Sequence, residues 1–420
     1  MEIQVQGQTP LYGTVEVGSS KNAILPILAA SLLTDEPRKI NRIPNIKDVE
    51  VITEVLSSLG VNIDQFSRSL EFFGGINSNH PPYELVRQIR ASFLVMGPLL
   101  ARRGNVRVAL PGGCAIGTRP IDLHLKGFEA LGAKITMSGG DVIAKANILH
   151  GNHIYLDFPS VGATENIMMA AALAQGTTYI ENAALEPEIV DLANYINSMG
   201  GKVTGAGCNV IKIEGVKKLT STEYTPIPDR IEAGTYMLAA AAAGGEVIIE
   251  NIIPEHLKAI TAKLIETGAE VIEGDNQIIV RREKEIKPVY IKTLPYPGFP
   301  TDMQAQFMAY LIRANGSSIV TESVFENRFM HVAELLRMGA KIKIEGRTAV
   351  IRGQKNLTAA RVKATDLRAG AALLIAGLTA RGSTTIMNSE HIDRGYEGIV
   401  EKFNNLGAVS GQVFWRNFGQ

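Results

Sequence analysis

The sequence predicts an α/β protein made of six copies of one supersecondary unit, three to a domain. Three observations predict it. A helix-like stretch ends six times in nearly the same phrase: Ser58-Leu59-Gly60-Val61, Ala130-Leu131-Gly132-Ala133, Ser198-Met199-Gly200-Gly201, Glu266-Thr267-Gly268-Ala269, Arg337-Met338-Gly339-Ala340 and Asn405-Leu406-Gly407-Ala408. From glycine to glycine the steps are 72, 68, 68, 71 and 68 residues, which is internal repetition. Each copy opens with an alanine-rich stretch that is apolar on every side, at 23–33, 91–101, 163–174, 233–243, 304–314 and 369–380. At 420 residues the chain also exceeds what one core usually supports, so two domains follow.

The first twenty residues form a surplus strand-turn-strand, Ile3-Gln4-Val5 and Val15-Glu16-Val17, which must add to an existing sheet. Each copy then runs in a fixed order. Its opening helix has no polar face, so it belongs inside, and the abundant alanine lets neighbouring backbones approach. A breaker follows (Pro37, Gly104, Gly176, Gly245, Gly316, Gly382) and then a short alternating strand such as Thr178-Tyr179-Ile180-Glu181-Asn182. The second helix carries a one-sided apolar stripe, as in Val49, Ile52, Val55, Leu56 and Leu59. The Leu-Gly glycine reads as its C-terminal cap. A hairpin closes the copy: Val61-Asn62-Ile63 faces Leu70-Glu71-Phe72, and Lys134-Ile135 faces Val142-Ile143. The crossing between domains is expected in 223–229, which contains Pro226 and Pro228.

Composition removes several function classes. Lys plus Arg and Asp plus Glu both total 42, so the formal charge is zero, which argues against nucleic acid or an anionic membrane as the main partner. Two cysteines cannot make a disulfide framework and point to a reducing compartment. There is no signal-peptide pattern at the start and no apolar run long enough to span a bilayer, so a cytoplasmic protein is expected. Neither paired metal-ligand spacing nor a G-x-G-x-x-G after a strand occurs, so no metal and no cofactor is expected.

Chemistry gathers at the starts of the apolar helices, where Lys21, Arg90, Ser160, Arg230, Asp302 and Asp366 stand, with Arg368 beside the last. Equivalent helix starts in a repeated domain collect on one face, together with the positive ends of the helix dipoles. Two such faces opposed would make a cleft for an anionic ligand. Ordinary N-capping would account for Ser160, Asp302 and Asp366. It does not account for Lys21, Arg90 or Arg230, because cations there oppose the dipole.

One loop stands apart: Pro111-Gly112-Gly113-Cys114-Ala115-Ile116-Gly117-Thr118-Arg119-Pro120. Its glycines let backbone amides approach a ligand. The spacing mimics a P-loop, but Thr118-Arg119 stands where Lys-Ser/Thr is required, which rejects nucleoside triphosphate hydrolysis. An unpaired cysteine is often just a small buried hydrophobe. Here Arg119 lies five residues from Cys114, and a guanidinium favours the reactive thiolate. Cys208, with no basic neighbour in sequence, reads as structural.

Together with that loop, Lys21-Asn22-Ala23, Phe299-Pro300-Thr301-Asp302-Met303-Gln304, Phe325-Glu326-Asn327-Arg328-Phe329, Thr365-Asp366-Leu367-Arg368 and His391-Ile392-Asp393-Arg394-Gly395-Tyr396 resemble the UDP-N-acetylglucosamine enolpyruvyl transferases. The resemblance spans essentially the whole chain. It implies a two-domain inside-out α/β barrel, with domains 21–229 and 1–20 plus 230–420 and a hinge near 20–21 and 229–230 that closes on substrate. It implies transfer of the enolpyruvyl group of phosphoenolpyruvate to the 3-hydroxyl of UDP-N-acetylglucosamine with release of phosphate, the first committed step of peptidoglycan synthesis. The implied partners are these two small molecules, with no nucleic acid and no membrane; no oligomeric state is legible.

Position by position, the resemblance makes Lys21, Arg119 and Arg394 the cationic cradle for phosphoenolpyruvate, with Asn22 and Cys114 beside it. Cys114 would be the general acid at the methylene carbon, able also to form a covalent adduct and open to alkylation by an epoxide phosphonate of the fosfomycin type. Asp302 would be the base at the sugar hydroxyl, with Asp366 and Arg368 close to the reacting centre. Asn22, Arg90, Arg119, Pro120, Ile121, Asp122, Leu123, Ser160, Val161, Gly162, Asp302, Val324 and Phe325 would contact the nucleotide sugar, Asp122 reading the uracil edge. Leu94 and Phe158 depart from the tryptophan and lysine of some members. The transferase acting on shikimate 3-phosphate shares the scaffold, but its loop lacks the thiol. A catalytically idle paralogue that binds the nucleotide sugar is the non-enzyme alternative, opposed by the joint presence of Lys21, Cys114, Arg119, Asp302, Asp366 and Arg394. An RNA-end-modifying enzyme on a related repeat fold is disfavoured by the zero net charge.

Overall fold

The computed structural model describes residues 1–111 and 121–413. They form two compact units, one within residues 19–227 and the other combining Met1–Gly18 with the described part of Pro228–Gln420. The first holds the inner helices α1 (Lys21–Ala30, extended by a 3₁₀ turn Ser31–Leu33), α2 (Met96–Arg103) and α3 (Val161–Ala171). The second holds α4 (Arg230–Ala243), α5 (Gln304–Leu311) and α6 (Leu367–Thr379). Nearly every residue of α4, α5 and α6 is buried, as the absence of a polar face requires.

The stretch 91–101 departs from the expected helix. It opens as a 3₁₀ segment, Arg90–Val95, and becomes α-helical at Met96. The cause is Asn166 on α3. Its side-chain oxygen takes the Gly97 amide (2.7 Å) and its amide nitrogen donates to the Phe93 carbonyl (3.1 Å), so the side chain stands in for the Gly97-to-Phe93 helix bond.

Each copy carries a small sheet in one strand order: a parallel edge strand, a central strand, then the two arms of the hairpin. The third copy orders His153–Tyr155, Thr177–Glu181, Val210–Glu214 and Val203–Thr204; the fifth orders Tyr290–Lys292, Ser317–Thr321, Thr348–Arg352 and Lys341–Glu345. In the second copy only the last three positions are filled among the described residues, by Asn105–Ala109, Asp141–Lys145 and Lys134–Ser138.

Distant strands complete the ring in each unit. Leu11–Glu16 lies parallel to Gly245–Glu250 at the edge of the fourth sheet. Glu2–Gln6 lies inside the sixth sheet, antiparallel to both Ser383–Met387 and Ser410–Val413, where the other copies use their own hairpin arm. In the first unit Thr222–Tyr224 joins Arg38–Ile40. The segment expected as a linker is therefore partly strand, because closing the ring uses it.

All six Leu-Gly glycines cap their helices with φ between 88° and 104°, a backbone that side chains rarely adopt. The hairpin after Gly132 corrects the expected register: Thr136 faces Ile143 and Met137 faces Val142. Gly139 and Gly140, both at positive φ, form the two-residue turn that sets it.

Candidate active site

In the first unit, α1 starts at Lys21, whose Nζ is 2.9 Å from the buried Asp48 carboxylate. That pair supplies the counter-charge a cation at a helix start needs. Asn22 follows on α1, which packs against the segment opened by Arg90. Ser160 caps α3, its hydroxyl accepting from the Ala163 amide, and Val161 and Gly162 form the first turn. The helix Asp122–Ala130 begins directly after Ile121 and carries Leu123 and the buried His124.

His124 draws these pieces together. Its Nδ1 is 3.1 Å from Asn166 Nδ2, its ring meets Phe93 edge-on at 5.3 Å, and a Cβ at Gly162 would lie 3.2 Å from it. Burial pushes its imidazole down to about 3, with Arg90 adding to the effect. The neutral ring can thus accept from Asn166. His124 thus ties the helix that begins at Asp122 and Leu123 to Gly162 in the first turn of α3 and to the segment opened by Arg90.

In the second unit, Asp302 sits in the 3₁₀ turn Thr301–Met303 before α5. It does not cap the helix. One carboxylate oxygen accepts from Arg328 (2.9 Å) and the other from Arg368 (2.9 Å), both guanidinium groups being nearly buried. Arg328 also lies over the Phe325 ring at 5.3 Å, which brings Phe325 beside Asp302. Arg368 donates to the Tyr396 hydroxyl (3.2 Å) and packs over its ring (5.6 Å). Tyr396 in turn meets Thr235 of α4 at 2.9 Å and Gln306 of α5 at 3.3 Å, and Gln306 reaches the Asp302 carbonyl at 2.9 Å. All three inner helices of this unit therefore converge on Asp302. Burial opposes the Arg368 charge, but Asp302, Tyr396 and Asp229 outweigh it and hold its pKa above the ordinary arginine value.

Asp366 and Asp229 behave as caps. Asp366 accepts from the Arg368 and Ala369 amides at 2.8 and 3.0 Å, and Asp229 from the Ile231 and Glu232 amides at 2.7 and 2.9 Å. Capping thus covers Ser160 and Asp366, whereas Asp302 accepts from two arginines. Arg230 packs over the Tyr296 ring at 5.5 Å. His331 is buried near Arg328 and Asp366; burial sets its pKa to about 4, with Asp366 working against the shift and Arg328 with it. Arg394 ends the 3₁₀ segment Ser389–Arg394, which packs on α6. Val324 and Phe325 are held through their amides by Glu322. Cys114, Arg119 and Pro120, with the rest of the loop 112–120, lie outside the described residues.

Sequence reasoning assigned no role to Asp48, His124, Asn166, Glu322, Arg328 or Tyr396. Arg328 and Tyr396 stand inside quoted motifs, but nothing local marks their partners.

Residues 5–403 match the family of EPSP synthase (3-phosphoshikimate 1-carboxyvinyltransferase). The UDP-N-acetylglucosamine 1-carboxyvinyltransferase 2 of Carboxydothermus hydrogenoformans is 60% identical over 408 residues, covering 96% of this chain and 97% of that one. The chain belongs to the UDP-N-acetylglucosamine 1-carboxyvinyltransferase family. A further relative, UDP-N-acetylglucosamine 1-carboxyvinyltransferase 1 of Caldanaerobacter subterraneus subsp. tengcongensis, is 57% identical over 404 residues, 96% of this chain and 97% of its own. Among solved structures, the enolpyruvyl transferase NikO from Streptomyces tendae superposes with a TM-score of 0.87 at 24% identity over 98% of each chain. An EPSP synthase from Acinetobacter baumannii gives 0.75 at 18% identity, over 98% of this chain and 100% of that one. These likenesses establish the α/β enolpyruvyl transferase fold. Within this carboxyvinyltransferase family member, no helix among the described residues is long and apolar enough to cross a membrane.

Proposed function

We propose that the chain transfers the enolpyruvyl group of phosphoenolpyruvate to the 3-hydroxyl of UDP-N-acetylglucosamine and releases phosphate, acting on soluble substrates in the cytoplasm. The observation that carries this reading is the 57–60% identity, over 96% of the chain, to relatives named for that reaction.

Lys21, Arg119 and Arg394 would bind the phosphate and carboxylate of phosphoenolpyruvate, since several converging cations suit two anionic groups on one small molecule. Asn22, Arg90, Ile121, Asp122, Leu123, Ser160, Val161 and Gly162 would take the nucleotide sugar with Arg119 and Pro120, and Val324 and Phe325 would complete that contact. In the addition, Cys114 gives a proton to the methylene carbon while the sugar oxygen bonds to the adjacent carbon. Asp302 accepts the proton that oxygen sheds. The product is a tetrahedral ketal phosphate. In the elimination the methyl group loses a proton, the double bond re-forms and the carbon–oxygen bond to phosphate breaks, so the acid and base exchange roles. Two guanidinium groups hold the Asp302 carboxylate in place, and Asp366 caps the helix that carries Arg368. An epoxide phosphonate would alkylate the Cys114 thiolate.

Phosphate release is to be measured with phosphoenolpyruvate and either UDP-N-acetylglucosamine or shikimate 3-phosphate. Turnover with the nucleotide sugar alone is expected; binding without turnover would favour a regulator, and turnover with the shikimate ester would overturn the substrate assignment.

A further inference from the structure

Glu322 is 1% exposed, yet no cation among the described residues accompanies its carboxylate. Four neutral donors do. Its Oε1 accepts from the Thr293 hydroxyl (2.8 Å), the Val324 amide (2.8 Å) and the Phe325 amide (3.1 Å), and its Oε2 accepts from the Thr301 hydroxyl (2.8 Å). Thr293 is itself locked: its hydroxyl accepts the Ser323 amide at 2.9 Å and its amide donates to the Thr321 carbonyl at 3.0 Å. Burying a carboxylate is costly unless every lone pair is used, and an ionised carboxylate is the side chain that accepts only. Four donors converging from three segments call for such a group.

The two oxygens serve different ends. One fixes the Val324–Phe325 backbone, and the other fixes Thr301, the residue before Asp302. We propose that Glu322 is a positioning residue that holds the nucleotide-sugar loop and the Asp302 turn in mutual register, so that sugar and base are aligned by one carboxylate. This rests on the roles assigned above to Val324, Phe325 and Asp302. Glu322 touches no reacting atom; it acts through the two segments it clamps.

The chemistry makes a sharp distinction between substitutions. In Glu322→Gln the side-chain oxygen keeps the three donors on the Oε1 side, and the amide nitrogen can donate to the Thr301 hydroxyl, which turns to accept. Glu322→Ala strips all four. Thr301→Val cuts only the Asp302 arm.

The test is steady-state phosphate release on the full chain with each substrate varied, alongside hydrogen–deuterium exchange over residues 323–327. Glu322→Ala is expected to raise KM for UDP-N-acetylglucosamine about tenfold or more while KM for phosphoenolpyruvate stays within about threefold, and to lower kcat. Thr301→Val is expected to lower kcat about tenfold with both KM values nearly unchanged. Glu322→Gln should restore all three to near the unmodified protein. Exchange at 323–327 should rise in Glu322→Ala and not in Glu322→Gln. Unchanged exchange and unchanged KM for the nucleotide sugar in Glu322→Ala would overturn the clamp, as would a uniform loss that the glutamine variant fails to rescue. The exchange readout needs no substrate; if the unmodified chain fails to turn over, the functional reading falls while the clamp is still judged by exchange.

Discussion

At position 302 a carboxylate accepts from two nearly buried arginines, and that arrangement sets what the residue can do. Asp302→Ala is expected to lower kcat by about 10²-fold or more, the usual worth of a positioned acid or base. It also leaves two guanidinium groups without their acceptor, so stability should fall by about 1.5–3 kcal/mol. Kinetics and urea unfolding of one preparation separate the two effects, and near-normal turnover would remove Asp302 from the chemistry. The buried histidines make a pH prediction. Burial pushes His124 to about 3 and His331 to about 4, below the ordinary imidazole value, so each gains a proton on unfolding below about pH 6.5. Their contribution to stability is complete above that pH and falls as the pH drops, down to about 4 for His331 and about 3 for His124. Asp191 has the opposite sign: burial raises it to about 6, so its penalty grows as the pH rises through roughly 4 to 6. His331→Asn should therefore reduce the stability lost between pH 7 and pH 5 by up to about 2 kcal/mol; an unchanged slope in urea unfolding would contradict it. At this scale the sequence showed which helix starts bear charge, since the breakers align them. It did not show the partners, because Asp302 with Arg328 and Arg368, or Lys21 with Asp48, are pairings made by the tertiary fold.

The individual elements were the most legible. A glycine after an apolar stripe announces a cap by local backbone chemistry, and all six take positive φ. Gly132 isolates that effect, since an added Cβ would meet nothing within 4 Å while φ stands at 95°. Gly132→Ala should thus cost about 1–2 kcal/mol from backbone strain alone, read as a lowered urea midpoint with kcat intact. A midpoint equal to that of the unmodified chain would mean that the cap contributes no conformational restraint. The 3₁₀ opening at Arg90–Val95 was hidden for the converse reason. Asn166, which displaces the helix bond, lies 73 residues from Phe93 and leaves no periodic trace. Hairpin register was likewise misjudged by strand composition and set by the Gly139-Gly140 turn.

For the molecule as a whole, repetition revealed six copies and the need for a docking place for the surplus strands, but not which sheets receive them. Pairing between Ile3 and Ile386, or Ile3 and Gln412, carries no local signal. The consequence for stability is large, because Ile3 and Val5 are buried and Glu2–Gln6 separates the two strands it joins. Deleting residues 1–7 should unfold the unit that contains α4 to α6 while the unit within 19–227 retains a cooperative transition. Calorimetry would show one endotherm lost, and two surviving endotherms would contradict the prediction. The same interleaving imposes an order on biosynthesis. Glu2–Gln6 leaves the ribosome some 400 residues ahead of Ser410–Val413, roughly 20–80 s at ordinary elongation rates. Throughout that interval a strand that will bury Ile3 and Val5 waits without its neighbours, so its pairing is completed only after nearly the whole chain has been made.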